Sequence, residues 1–108
     1  MDKNEMKSWF EKQLGGFDLE FKTLFGNPTW LVNGNMFAKV EKEMFVFRIG
    51  ADDKAAMTAA IPVKQYIMFN GKPVKDFVTF GADLANADFK AWFKKGFDAA
   101  KKLPAKVK

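Results

Sequence analysis

The chain has 108 residues, 48% hydrophobic and 16% aromatic with thirteen phenylalanines, and a formal charge of +5. This is one domain's length, with enough apolar material for a core, which excludes a disordered chain. Cysteine and histidine are absent, which excludes disulfides, thiol catalysis, cysteine-ligated zinc and the side chain that most readily titrates near neutral pH.

The first predicted helix runs from about Lys3 to Leu14. Asp2 followed by Glu5 fits a capping box, and Met6, Trp9, Phe10 and Leu14 form one apolar stripe. Gly15-Gly16 is expected to close the helix in the left-handed conformation. The charged start (Asp2, Lys3, Glu5, Lys7) lacks the apolar core of a signal peptide, and no apolar run approaches the ~20 residues that span a bilayer. A cytoplasmic protein without a membrane partner is therefore expected.

Strands follow. Phe17, Leu19 and Phe21 alternate with Asp18, Glu20 and Lys22, which predicts a half-buried strand continuing toward Phe25. Pro28 is unsuited to a central strand, so Gly26-Asn27-Pro28 is expected to turn or to form an edge irregularity. Thr29 to Val32 and Met36 to Val40 flank Asn33-Gly34, a dipeptide that tolerates the positive φ angles of a tight hairpin turn. Glu41-Lys42-Glu43 is read as the next turn. Met44 to Ile49 is a strand with Phe45, Phe47 and Ile49 on one face and Met44, Val46 and Arg48 on the other.

Asp52 is expected to cap a short helix through about Ala60, stopped by Ile61-Pro62. Gln65 to Phe69 and Val74 to Phe80 read as a second hairpin around Asn70-Gly71. The last helix is expected to start near Leu84 with Asp83 as cap. It would bury Phe89, Trp92, Phe93, Phe97, Ala100 and Leu103 and leave at Pro104. Gly96 falls inside it, where glycine costs up to ~1 kcal/mol against alanine; close packing of helix on sheet would explain it. The order α, three to four strands, α, two strands, α predicts an α+β domain, an antiparallel sheet of about five or six strands covered by helices.

Phe25-Gly26, Val32-Asn33-Gly34 and Met36-Phe37-Ala38, in that order and spacing, resemble the N-terminal domain of the TfoX/Sxy competence regulators. The similarity extends through Met68-Phe69-Asn70-Gly71-Lys72-Pro73-Val74 and Trp92 to the Leu103-Pro104 exit, covering roughly residues 22–105. The resemblance implies a secretion-chaperone-like α/β sandwich and a stand-alone single domain over 1–108, with 104–108 a basic tail. It also implies a regulatory or interaction role. Asn27 and Pro28 depart from the family pattern, and a stand-alone domain without the second domain of full-length competence regulators is expected.

No catalytic constellation emerges. A triad lacks its histidine, and Ser8, the one serine, falls on a solvent-facing helix surface. The acidic pairs Glu41/Glu43 and Asp52/Asp53 stand where turn and cap chemistry accounts for them, and the glycines fall between strands rather than between strand and helix, so they form no phosphate cradle. No metal, cofactor or catalytic residue is expected. Charge is the remaining signal. Residues 1–50 balance, and the excess sits in Lys94, Lys95, Lys101, Lys102, Lys106 and Lys108 against Asp98 alone.

Lysines near a helix C-terminus complement its dipole and aid solubility. Weak nucleic-acid contact through six lysines would give a log–log salt slope of about −5, although Arg48 is the one arginine available for base readout. The expectation is a non-enzymatic regulatory or protein-interaction module, with a protein partner or homodimer, and weak nucleic-acid binding as the alternative. Lys72, Lys75, Lys94, Lys95, Lys101 and Lys102 are candidate partner contacts. Phe25, Gly26, Asn33, Gly34, Met36, Phe37, Ala38, Gly71 and Trp92 carry the family motif.

Overall fold

The computed structural model describes residues 2–68, 70–85 and 87–104. Helix α1 spans Lys3–Leu14 and opens on the expected capping box: Glu5 N–H donates to Asp2 Oδ1 at 2.8 Å, and Asp2 N–H donates to Glu5 Oε1 at 3.1 Å. Its closure differs from expectation. Gly15 is right-handed (φ −61°), and the chain turns because Phe17 N–H reaches back to the Leu14 carbonyl at 3.0 Å.

Four strands then run back and forth: β1 (Glu20–Leu24), β2 (Asn27–Val32), β3 (Asn35–Glu41) and β4 (Met44–Arg48). The pairs Leu24–Asn27, Val32–Asn35 and Glu41–Met44 leave two-residue loops between them. Phe25-Gly26 (φ 52° and 77°) and Asn33-Gly34 (φ 52° and 78°) are both positive throughout, as a type I′ hairpin requires. The second of these turns was expected; the first was not.

Pro28 lies inside β2, buried and opposite Thr23. Next to a two-residue loop the Leu24–Asn27 pair exchanges the hydrogen bonds, so the Thr23–Pro28 pair needs no N–H from proline. Pairing of β2 with β3 begins at Thr29. Glu41 is the last residue of β3, so the following turn is Lys42-Glu43 alone. The expected strand from Phe17 is shorter. β1 starts at Glu20 and is an exposed edge, with Phe21 42% accessible.

Helix α2 is Ala51–Ala60, capped by Gly50 without a side-chain bond. Asp52 therefore sits in the first turn rather than at the cap, where its charge faces the helix dipole. Strands β5 (Lys64–Ile67) and β6 (Pro73–Gly81) form the predicted hairpin, closed by Met68 N–H to Lys72 O and Gly71 N–H to Met68 O. A 3₁₀ turn at Ala82–Leu84 precedes α3, Lys90–Lys101, so the last helix begins later than expected and Asp83 does not cap it. Phe89 at its start stacks on Phe80, with centroids 4.2 Å apart and planes at 14°. That contact pins the chain before the helix begins.

The six strands form one antiparallel sheet in the order β1-β2-β3-β4-β6-β5. Helices α1, α2 and α3 cover one face. Met6, Phe10 and Leu14 from α1, Met57 from α2 and Phe93, Phe97 and Ala100 from α3 join Trp30, Phe37, Phe45, Phe47 and Phe80 from the sheet. The rings meet mainly edge-to-face, for example Phe10–Phe45 at 4.8 Å and Phe47–Phe93 at 4.8 Å, the geometry ring quadrupoles favour. The protein is thus α+β. Trp30 pairs with Ala38 but Leu31 with Met36, so Phe37 is the extra residue of a β-bulge. This lets Phe37 and Ala38, neighbours in sequence, both enter the core while Met36 and Lys39 face the other way.

Candidate functional site

Among the described residues, no helix packs on the second face of the sheet. Val46 and Phe77 form a small apolar cluster there with Tyr66, flanked by Met36 and Val74. Lys39 and Glu41, two residues apart on β3, lie on this face by strand alternation. The face is concave. Leu24 and Phe25, beside one sheet edge, and Tyr66 and Met68, beside the other, line a single groove of 370 Å³ together with Asn27, Thr29, Met36, Lys39 and Glu41. A flat sheet of this width would separate its edges by roughly 24 Å, at ~4.8 Å per strand spacing, so the sheet must curl to bring them together.

A polar network spans the groove floor. Tyr66 Oη donates to Glu41 Oε2 at 2.8 Å, and Lys39 Nζ donates to Glu41 Oε1 at 3.0 Å. The same ammonium lies 4.8 Å from the centroid of the Tyr66 ring, within cation–π range. Burial alone would lower the Lys39 pKa, but its interactions with Tyr66 and Glu41 outweigh this and raise it above 10.5. Burial likewise works against the Glu41 carboxylate, yet the bonds from Tyr66 and Lys39 hold its pKa below 4.5. Burial, helped by donation to Glu41, raises the Tyr66 phenol above 10.0. The network is therefore a charged pair plus a neutral phenol across a wide pH range.

The groove wall is built by the first hairpin. Phe25 is 101% exposed at positive φ, a conformation that costs a side-chain-bearing residue roughly 1–2 kcal/mol. Lys3 at the start of α1 braces this tip, donating to Gly26 O at 3.1 Å and Asn27 Oδ1 at 3.3 Å. Leu24 at 37% and Met68 at 39% add exposed apolar surface beside it. Next to the groove, Arg48 is held in place by donation from Nε to Met36 O at 2.9 Å and by stacking 4.5 Å over Phe77.

The sequence-predicted residues distribute unevenly. Phe25 and Met36 line the groove, and Gly26 completes its tip. Asn33 and Gly34 form the neighbouring turn, Phe37 and Ala38 are core, Gly71 is an exposed loop residue at φ 81°, and Trp92 is half-buried against the core. Of the lysines, Lys94 pairs with Asp98 at 3.6 Å and Lys95 with Asp53 at 3.7 Å, while Lys101 lies 5.4 Å over the Phe97 ring. Lys102, Lys72 and Lys75 are exposed. These lysines are spread over the α3 surface and its C-terminal end, the β5–β6 loop (Lys72) and strand β6 (Lys75) rather than forming one site. Phe69 of the motif, and Lys106 and Lys108 of the basic tail, lie outside the described residues.

Asp53 of the Asp52/Asp53 pair is taken by Lys95, and no group of three or more acidic residues suited to a metal occurs among the described residues. No helix among them is long and apolar enough to cross a membrane. Sequence reasoning missed Lys39 and Tyr66 and assigned Glu41 to a turn. The Lys39–Glu41 spacing did mark one strand face, but nothing local announces that β5 curls over to meet it. Comparison with known proteins gives no match: no family model, curated protein or solved structure aligns with the chain.

Proposed function

We propose that the chain is a non-catalytic regulatory or interaction module, the role its resemblance to the TfoX N-terminal domain implies, and that it binds a partner protein on the concave sheet face. The observation that carries this reading is Phe25, a fully exposed aromatic held at positive φ on a braced hairpin tip. Asparagine or glycine would make that turn at lower cost, and strained backbone carrying an exposed aromatic is a feature of binding sites.

Phe25→Asn separates the two roles of the position. The variant should fold at least as stably as the parent yet lose the partner that a tagged parent chain retains from extract of its own cells. An unchanged set of retained proteins, or none retained by the parent and a strictly monomeric chain, would defeat the reading.

A further inference from the structure

We propose that the groove accepts an uncharged aromatic side chain, tryptophan or tyrosine, presented by a partner protein. This rests on the reading of the concave face as the binding surface and names what that surface recognises. Its size sets the first limit. At 370 Å³ the groove is at the small end of ligand sites. It has room for one ring and its adjoining backbone, and none for a helix about 10–12 Å across.

The walls set the second limit. The Phe25 ring and the Met36 and Met68 thioethers are surfaces against which aromatic rings pack favourably. Charge sets the third. Lys39 and Glu41 neutralise one another at 3.0 Å, so a carboxylate entering toward the ammonium meets Glu41, and a cation entering toward Glu41 meets Lys39. A neutral guest avoids both penalties.

Hydrogen bonding completes the match. Each Glu41 oxygen has accepted one bond and Tyr66 Oη has used its proton, so the floor retains acceptor lone pairs for the single N–H of an indole or O–H of a phenol. Lys39 Nζ directs donors at Glu41 and Tyr66 and keeps a third for a backbone carbonyl of the incoming segment.

The test uses the whole chain labelled with ¹³C at the methionine methyl groups and N-acetyl-tryptophanamide as probe. Met36 and Met68 report the groove; Met6 and Met57, both in the core, serve as controls. The amide should shift Met36 and Met68 and leave the controls in place, with a Kd on the order of 0.1–1 mM. N-acetyl-tryptophan, an anion, and tryptamine, a cation, should each bind at least about threefold more weakly.

Glu41→Gln should reverse the order in favour of the anion, and Lys39→Gln in favour of the cation. Absence of a Met36 or Met68 shift at about 10 mM amide, some tenfold above the expected Kd, would overturn the proposal. So would charged analogues that bind the parent as tightly as the amide. Failure here, with a partner contact that still depends on Phe25, rejects the aromatic guest alone. A partner contact indifferent to Phe25→Asn rejects the wider reading and leaves the amide result standing.

Discussion

A methyl group at position 96 would stand 2.1 Å from the Arg48 carbonyl oxygen and 3.2 Å from the Phe37 ring. Backbone cannot yield by that much without moving α3 off the sheet. Gly96→Ala, which raises helix propensity by ~1 kcal/mol, should therefore lower stability by about 2 kcal/mol or more. Urea unfolding would show it; a stabilised variant would refute the close approach. Phe25→Asn should move the other way, gaining about 0.5–1 kcal/mol by relieving the αL strain. Both positions show how far single residues can be read. A mid-helix glycine already signals a near neighbour, and its cause was found where expected. Phe25-Gly26, by contrast, carries a poor turn former in its first position, so the turn was assigned to Gly26-Asn27-Pro28 instead.

Between elements, the link across the groove is carried by Lys39, Glu41 and Tyr66. The Glu41 pKa is lowered on folding, so its contribution is present above the unfolded value near 4.5 and is lost as pH falls through the lower folded value. Lys39 and Tyr66 are both raised, so their contributions are present below about pH 10 and are lost as pH rises beyond it. Glu41→Gln should accordingly destabilise the chain near pH 7, with the difference shrinking as pH falls below about 4.5, as followed by thermal unfolding across pH. A deficit of the same size at both ends would contradict the network.

The strands themselves were legible because their apolar residues alternate. Phe45, Phe47 and Ile49 face the core, as predicted. The bulge at Phe37 was not legible. Phe37-Ala38 reads as one inward and one outward residue under strict alternation, and the extra residue shows only once β2 and β3 are paired. The starts of α2 and α3 were misplaced for a related reason. Aspartates suited to caps lay nearby, but Gly50 and the Phe89–Phe80 stack decide where the helices begin.

For the molecule as a whole, hydrophobic patterning sufficed to predict an α+β domain with helices on one face. It could not predict that the other face curls until Tyr66 meets Glu41, because curvature arises from pairing and twist summed over six strands. The covering of the inner face depends strongly on α3, which supplies Phe93, Phe97 and Ala100 to the core. A second tie lies just beyond it, where Asn35 Nδ2 donates to Pro104 O at 2.9 Å. A chain shortened before Lys90 should therefore bind a hydrophobic dye and lose its cooperative thermal transition; a sharp transition near that of the parent would show that the sheet stands without this helix.

The close seat of Gly96 against the Arg48 carbonyl also has a meaning in time. During synthesis the strands are complete at Gly81, but α3 ends at Lys101, which at ribosomal rates is roughly one to four seconds later. Through that interval Phe37 and Phe47 lack the cover that Phe97 and Phe93 later give them, while α1 is already available to shield Phe45.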